Sequence, residues 1–258
     1  MSPQKKTTVK MKKVFDRPKS MTKKPYHYCP GCHHGVIHRM LAEQIDAYGL
    51  KGKTIGVASV GCSVLLYDYF DTDVVEAPHG RAPAVATGAK RAQPENFVFT
   101  YQGDGDLAAI GTAEIIHAAN RGEKITVIFV NNAVFGMTGG QMAPTTLVGQ
   151  VTTTSPQGRQ VATAGPPIRV AEMLATLDGA AYVARVAVNN IKNYKVAEKA
   201  LKRAIDFQLD GVGFAFVEFL SSCPTNWKMT PQEANARVAN EMIAQFPLGV
   251  YKDILAAA

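Results

Sequence analysis

The chain has 258 residues, 47% of them hydrophobic and 14 of them proline, enough to bury a sizeable core as one domain or at most two. It holds no run of 18 apolar residues and no apolar leader core, so neither a transmembrane helix nor secretion is expected. The net charge of +7 is unevenly placed: residues 1–25 carry nine Lys and Arg against one acid, Asp16, and the rest of the chain nets −1.

The basic segment 1–25 reads as a solvated terminal extension, with an arm lying on a partner subunit as the next alternative. No aromatic-interleaved basic patch follows it, so no nucleic-acid partner is expected, and no membrane partner either. Residues 35–48 have helical spacing, with Val36, Ile37, Met40, Leu41 and Ile45 on one side. Residues 54–60 form a buried strand, 81–91 a small-residue helix suited to close packing, 97–102 a strand and 107–121 a helix. Residues 125–131 make the next strand. A long polar stretch rich in Thr, Gly and Pro then fills 132–167, and a loop of that length beside a candidate site points to function. Helix 168–177, strand 182–188, helix 192–209 and strand 213–220 complete the pattern. Alternating strands and helices predict an α/β fold, a doubly wound parallel sheet with helices on both faces and ligands beyond the carboxyl ends of the strands.

One such strand end carries Gly103-Asp104-Gly105-Asp106, and Asn132 follows Asp104 by 28 residues at the end of the next strand. Gly-Asp-Gly at a strand end, a helix, a second strand and Asn-Asn suit a diphosphate held through Mg²⁺. The glycines admit the backbone to the phosphates, the helix N-terminus faces the anion, and Asp104 and Asn132 supply hard oxygen ligands. The plain alternative is a tight turn.

The chain has four cysteines, Cys29 and Cys32 in a C-x-x-C, Cys62 and Cys223 each after a strand. All four can gather at one sheet edge. Disulfides are disfavoured, and a lone C-x-x-C redox pair leaves two thiols unexplained. Four thiolates suit Zn²⁺ or a [4Fe–4S] cluster, and spacing does not separate the two. His33 and His34, just after Cys32, are of a metal-ligating type, but four thiols already make a full set, so they read as residues that pack or support the ligands; His117 reads as structural.

The diphosphate pattern resembles the thiamine diphosphate signature. Taken with Tyr28-Cys29-Pro30-Gly31-Cys32, Val60-Gly61-Cys62-Ser63, His79-Gly80-Arg81-Ala82, Ala86-Thr87-Gly88, Thr138-Gly139-Gly140-Gln141 and Ser222-Cys223-Pro224-Thr225, the chain resembles the beta subunit of a 2-oxoacid:ferredoxin oxidoreductase from about residue 26 onward. The resemblance implies one domain over 26–258 that binds thiamine diphosphate, Mg²⁺ and a [4Fe–4S] cluster on Cys29, Cys32, Cys62 and Cys223. It implies oxidative decarboxylation of a 2-oxoacid, electrons leaving one at a time through the cluster to ferredoxin, and the acyl group passing to coenzyme A.

The roles implied are these. Asp104, Asn132 and the Val134 carbonyl bind Mg²⁺. Gly103, Gly105, Asp106, Gly136, Met137 and Thr138 line the diphosphate. Cys62 and Ser63 sit between cluster and thiazolium, His79 and Arg81 face the reacting end as catalytic candidates, and Gln141 lines the substrate entry. The family's cofactor-activating Glu belongs to an alpha subunit, so the resemblance implies an obligate alpha partner, with gamma and ferredoxin-like delta subunits as further members of a cytoplasmic complex. The residues around Gly103 and the ending Cys223-Pro224-Thr225-Asn226-Trp227 are most similar to 2-oxoisovalerate enzymes, with 2-oxoglutarate and pyruvate next. The alternative is a non-redox thiamine diphosphate decarboxylase with a structural zinc held by the four cysteines.

Overall fold

The central strands are predominantly apolar, and both of their faces are covered. A computed structural model describes residues 15–256. Its sheet consists of β1 (Thr54–Ala58), β2 (Asp73–Glu76), β3 (Phe97–Gly103), β4 (Thr126–Asn131), β5 (Ala180–Ala187), β6 (Phe214–Leu220) and β7 (Gly249–Asp253), in the order β2-β1-β3-β4-β6-β5-β7. In β4, β5 and β6 every residue is buried, as a parallel sheet covered on both faces requires.

Alternation along each strand feeds two cores. Phe97, Phe99 and Tyr101 face helices α1 (His34–Ala47) and α7 (Ile191–Leu209), not counting the short α2 (Leu66–Tyr69) at the end of the sheet. Val98, Phe129 and Phe216 face α3 (Ala82–Ala92), α4 (Thr112–Asn120) and α6 (Val170–Ala175), with α5 (Val161–Ala164) in the long loop. Within α1, Ile37, Met40, Leu41 and Ile45 are buried as the spacing predicts, but Val36 falls outside the stripe and is exposed.

A third core lies over the carboxyl ends of the strands. There α8 (Pro224–Trp227), α9 (Pro231–Arg237) and α10 (Ile243–Gln245) bring Trp227, Ala234, Val238 and Phe246 onto Ala187 and Leu220, the last residues of β5 and β6. The sheet is parallel as expected except at one edge, and this cap is the reason. The chain leaves the cap at the carboxyl ends, so β7 must run back and pairs antiparallel with β5.

The described part of the basic extension is anchored to the fold. Ser20 N and Oγ donate to Asp46 Oδ1 at 2.9 and 2.5 Å, and Met21 bridges Phe70. Residues 1–14, with most of the basic side chains, lie outside the described residues. Among the described residues, no helix is long and apolar enough to cross a membrane.

Candidate functional site

A cleft opens at the carboxyl ends of β1, β3 and β4. Its floor is built on Asp104, which is 2% exposed. Asp104 Oδ1 accepts from Gly105 N at 2.9 Å, and Oδ2 from Thr145 Oγ1 at 2.6 Å and Val134 N at 3.2 Å. Burial pushes the carboxyl up to about 6, against these hydrogen bonds. A cation on Asp104 would reverse that penalty.

The two glycines of the motif act differently, and neither adopts a left-handed φ. A Cβ on Gly103 would meet nothing within 4 Å, which leaves the backbone open to a ligand there. A Cβ on Gly105 would lie 2.3 Å from Phe135 Cδ1, so Gly105 is small because the Phe135 ring packs on it.

The loop after β4 supplies the second donor. Asn132 is buried, lines the cleft, and its Oδ1 has no hydrogen-bond partner. A buried amide oxygen in that state costs free energy unless something binds it. Ala133 takes φ +57°, an uncommon conformation for a residue with a Cβ and one often found at functional sites. This turn places Asn132 on the cleft while Val134 N–H donates to Asp104.

His79 reaches the cleft from the loop before α3. Its Nδ1 contacts Asp106 Oδ1 at 2.5 Å, an oxygen that also accepts from Gly80 N at 2.6 Å, and Asp106 Oδ2 accepts from Gln102 Nε2 at 2.6 Å. Asp106 Oδ1 thus holds the His79 loop, while Oδ2 is tied to β3 through Gln102. Gly80 (φ +80°) and Gly111 touch backbone to backbone: a Cβ on Gly80 would lie 2.7 Å from Gly111 N. The expected helix 107–121 accordingly breaks. It begins at Asp104, passes through a π turn over Asp106–Ile110, closed by Gly111 N donating to Asp106 O at 2.8 Å, and resumes as α4.

The four thiols gather beside this floor. A Cβ on Gly136 would lie 3.2 Å from Cys62 Sγ and 3.7 Å from Cys223 Sγ, and Cys32 lies within electrostatic range of Cys223, Cys62 and Cys29. Gly31 (φ +81°) turns Cys29-Pro30-Gly31-Cys32 back on itself against Pro231, and Ser222 Oγ ties the Gly31 carbonyl at 2.6 Å. Gly61 (φ +124°) makes the turn that presents Cys62 after β1. Burial pushes the Cys32 and Cys62 thiols up to about 12 and raises Cys223 as well. Without a cation they are neutral thiols. Among the described residues, no three His, Cys, Asp or Glu side chains converge closely enough to hold one metal ion.

The comparisons with known proteins agree with this geometry. The family described as thiamine pyrophosphate enzyme, C-terminal TPP binding domain, matches residues 59–219, the stretch with Cys62, Asp104 and Asn132. Ketoisovalerate oxidoreductase subunit VorA of Methanothermobacter thermautotrophicus is 48% identical over 240 residues, 93% of this chain and 50% of that protein. The 2-oxoglutarate synthase subunit KorB of Archaeoglobus fulgidus is 38% identical over 209 residues, 81% of this chain and 74% of that protein. The chain belongs to the thiamine diphosphate-binding subunits of the 2-oxoacid oxidoreductases. It spans about half the length of the VorA relatives it matches. A solved 2-oxoglutarate:ferredoxin oxidoreductase from Magnetococcus marinus shares the fold, with a TM-score of 0.75 at 24% identity over 95% of this chain and 87% of that one.

Placed against this oxidoreductase family, the expected site residues separate into two groups. Cys62, Ser63, His79, Gly103 to Asp106, Asn132, Val134 and Gly136 to Thr138 all line the cleft. Arg81 does not: it stands at the start of α3, half exposed and ion-paired with Glu114. Gln141 also lies outside the lining, where its amide exchanges hydrogen bonds with Thr138. His33 bonds Asn235, and the exposed His117 sits on α4.

Sequence reasoning missed Phe135, Thr145 and Arg159, and His34, read as packing or supporting the ligands, is buried and also lines the cleft. His34 Nδ1 meets Tyr101 OH at 2.8 Å, and burial pulls the imidazole down to about 3. Arg159 orders the long loop by donating to the carbonyls of Ala143, Pro144, Thr146, Ala164, Gly165 and Pro166 at 2.9 to 3.1 Å. Its only sequence signal is a lone cation in a polar stretch.

Proposed function

We propose that this chain is the diphosphate-holding and electron-carrying subunit of a coenzyme A-dependent 2-oxoacid:ferredoxin oxidoreductase. The observation that carries the reading is the meeting of two chemistries at one sheet edge. Asp104 and the unpartnered Asn132 Oδ1 form a hard-oxygen floor, and Gly136 separates that floor from two thiols. These donors fit the groups proposed: carboxylate and amide oxygens suit Mg²⁺, and thiols suit a soft metal centre.

In this reading Asp104, Asn132 and the Val134 carbonyl hold Mg²⁺, and the open backbone at Gly103 accepts the diphosphate. Cys29, Cys32, Cys62 and Cys223 hold a [4Fe–4S] cluster. When bound, thiamine diphosphate and the cluster supply the decarboxylation and the electron transfer. The chain's own residues bind, orient and hold protons. With Nδ1 engaged by Asp106, His79 offers Nε2 to the reacting end. The Cys62 thiol stays close to Asn132 because position 136 has no side chain. Arg81, neutralised by Glu114, supports the rim.

The cofactor-activating carboxylate comes from an alpha subunit, with gamma and delta subunits completing a cytoplasmic complex that reduces ferredoxin. Ile110 and Met137, both about half exposed near His79 and the cleft, give the alpha subunit an apolar rim to cover. The VorA relatives favour 2-oxoisovalerate as substrate, with 2-oxoglutarate next from KorB and pyruvate after it.

The test is anaerobic reconstitution with the alpha subunit, assayed with 2-oxoisovalerate, 2-oxoglutarate and pyruvate, with and without coenzyme A. Expected are acceptor reduction that requires coenzyme A, highest turnover with the branched substrate, and loss of activity in Asp104→Ala and Asn132→Ala. Decarboxylation with no acceptor reduction would instead establish the non-redox enzyme with a structural zinc.

A further inference from the structure

Asn131, the last residue of β4, does not line the cleft, yet both ends of its amide are committed. Oδ1 accepts from Ala133 N at 3.1 Å, and Nδ2 donates to Glu218 Oε1 at 2.8 Å. Glu218 Oε2 in turn accepts from Arg185 Nε at 2.9 Å. Arg185 and Glu218 are fully buried and stand directly opposite each other on β5 and β6. Glu218 is level with Phe129 on β4, which sets Asn131 diagonally across from it on the same face of the sheet.

Arg185 is itself immobilised. It donates to both oxygens of Glu172 on α6 at 3.0 and 2.5 Å, and to Tyr251 OH on β7 at 2.7 Å. A brace therefore crosses from the far edge of the sheet to the cleft, through Arg185, Glu218 and Asn131, and ends on the N–H of Ala133. The Ala133 carbonyl is held from the other side by Thr146 Oγ1 at 2.8 Å and Gln150 Nε2 at 2.9 Å.

What the brace holds is the φ +57° turn at Ala133. A residue with a Cβ relaxes out of this conformation unless its neighbours impose it. If it relaxed, Asn132 and Val134, on either side, would swing away from Asp104. We propose that Asn131, braced by the buried Glu218–Arg185 pair, is a positioning residue that locks the left-handed turn at Ala133 and so sets the cation-binding posture of Asn132 and Val134. The inference rests on the reading of Asn132 as a Mg²⁺ donor. A purely structural role predicts lower thermal stability with unchanged cofactor affinity. A positioning role predicts lost affinity that glycine at 133 partly restores.

The experiment uses the full chain assembled with its partner subunit and stripped of cofactor with chelator. Mg²⁺ and thiamine diphosphate are titrated calorimetrically, and melting of the stripped assembly is recorded in parallel. Asn131→Ala should raise Kd about 10- to 100-fold, the usual cost of removing a group that orients a metal ligand. Adding Ala133→Gly to that variant should recover at least about threefold, because glycine takes positive φ without strain. Glu218→Gln keeps an oxygen for Asn131 Nδ2 and should stay within about threefold of wild type. Asn131→Ser, a smaller cut of the same brace, serves if the alanine variant does not assemble, and should weaken binding at least about threefold.

An Asn131 variant that binds within about twofold of wild type, while Asn132→Ala loses tenfold or more, overturns the positioning role and leaves the cation reading intact. Glu218→Gln as weak as Asn131→Ala overturns it too, since the charge and not the turn would then be acting. Asn132→Ala binding normally removes the cation reading and this inference with it.

Discussion

Replacing Asp104 by Asn isolates what the buried carboxylate costs the cofactor-free chain. Burial raises the Asp104 pKa from 3.8 to about 6. The folded chain therefore favours the protonated form. Asp104 contributes full stability below pH 3.8 and loses it as pH rises through about 6. At 1.36 kcal/mol per pH unit the loss totals about 3 kcal/mol, of which about 1.4 falls between pH 5 and 7.5. Asn does not titrate, but it exchanges one acceptor for a donor beside Val134 N and Thr145, a constant cost of about 1–3 kcal/mol. The difference in unfolding free energy between Asp104→Asn and wild type should thus move by about 1.4 kcal/mol in favour of the variant from pH 5 to 7.5, whatever its absolute sign. The assay is denaturant unfolding of both chains under anaerobic chelating conditions. Excess Mg²⁺ and thiamine diphosphate should then stabilise only wild type, by about 2.7 kcal/mol at a hundred times Kd. Parallel pH profiles for the two chains would refute the argument that desolvation dominates at Asp104.

Further outcomes follow from single contacts. Gly103→Ala, whose Cβ meets nothing within 4 Å, should leave stability within about 0.5 kcal/mol of wild type yet weaken thiamine diphosphate binding, by melting and calorimetry respectively. Gly105→Ala drives a Cβ to 2.3 Å from Phe135 and should cost about 1–3 kcal/mol as well as binding. Arg159→Met leaves the carbonyls of the long loop without their donor, and should cost about 3 kcal/mol or more and expose residues 143–166 to proteolysis. His34, held neutral by burial with a pKa near 3, contributes stability above pH 6.5 that falls away on acidification. Wild type should lose about 2 kcal/mol relative to His34→Asn on going from pH 7 to 5, measured by chemical unfolding.

The central sheet was legible because parallel strands covered on both faces are nearly continuous apolar runs. The strands at Phe97, Thr126 and Phe214 and the helices α6 and α7 lie within one or two residues of their expected bounds, whereas the helix expected over 107–121 starts at Asp104 and breaks at Gly111. The edges were not legible. Asp73–Glu76 is short, acidic and mostly exposed, and Gly249–Asp253 borrows its pairing from β5, so neither carries a strand pattern of its own. The cap over 224–246 buries its apolar residues against strand ends, with no periodicity long enough to announce it. At the site, most of the residues that line the cleft at strand ends were named from type and spacing. Their supports were not. Asp106 lines the cleft, and its oxygens also hold His79, Gly80 and Gln102, a supporting role that type and spacing did not show. Thr145, Arg159 and Glu218 act through hydrogen bonds spanning many residues of sequence, which leave no local signal. The break at Gly111 arises from a backbone contact with Gly80, visible only once the fold brings the two together.

The most direct test of the account is metal analysis and a visible spectrum of the anaerobically purified full chain, before and after dithionite. The account predicts a brown protein with about four irons per chain and a broad band that bleaches on reduction. A colourless protein with one zinc per chain would contradict it, removing the electron path and leaving a thiamine diphosphate enzyme without redox chemistry.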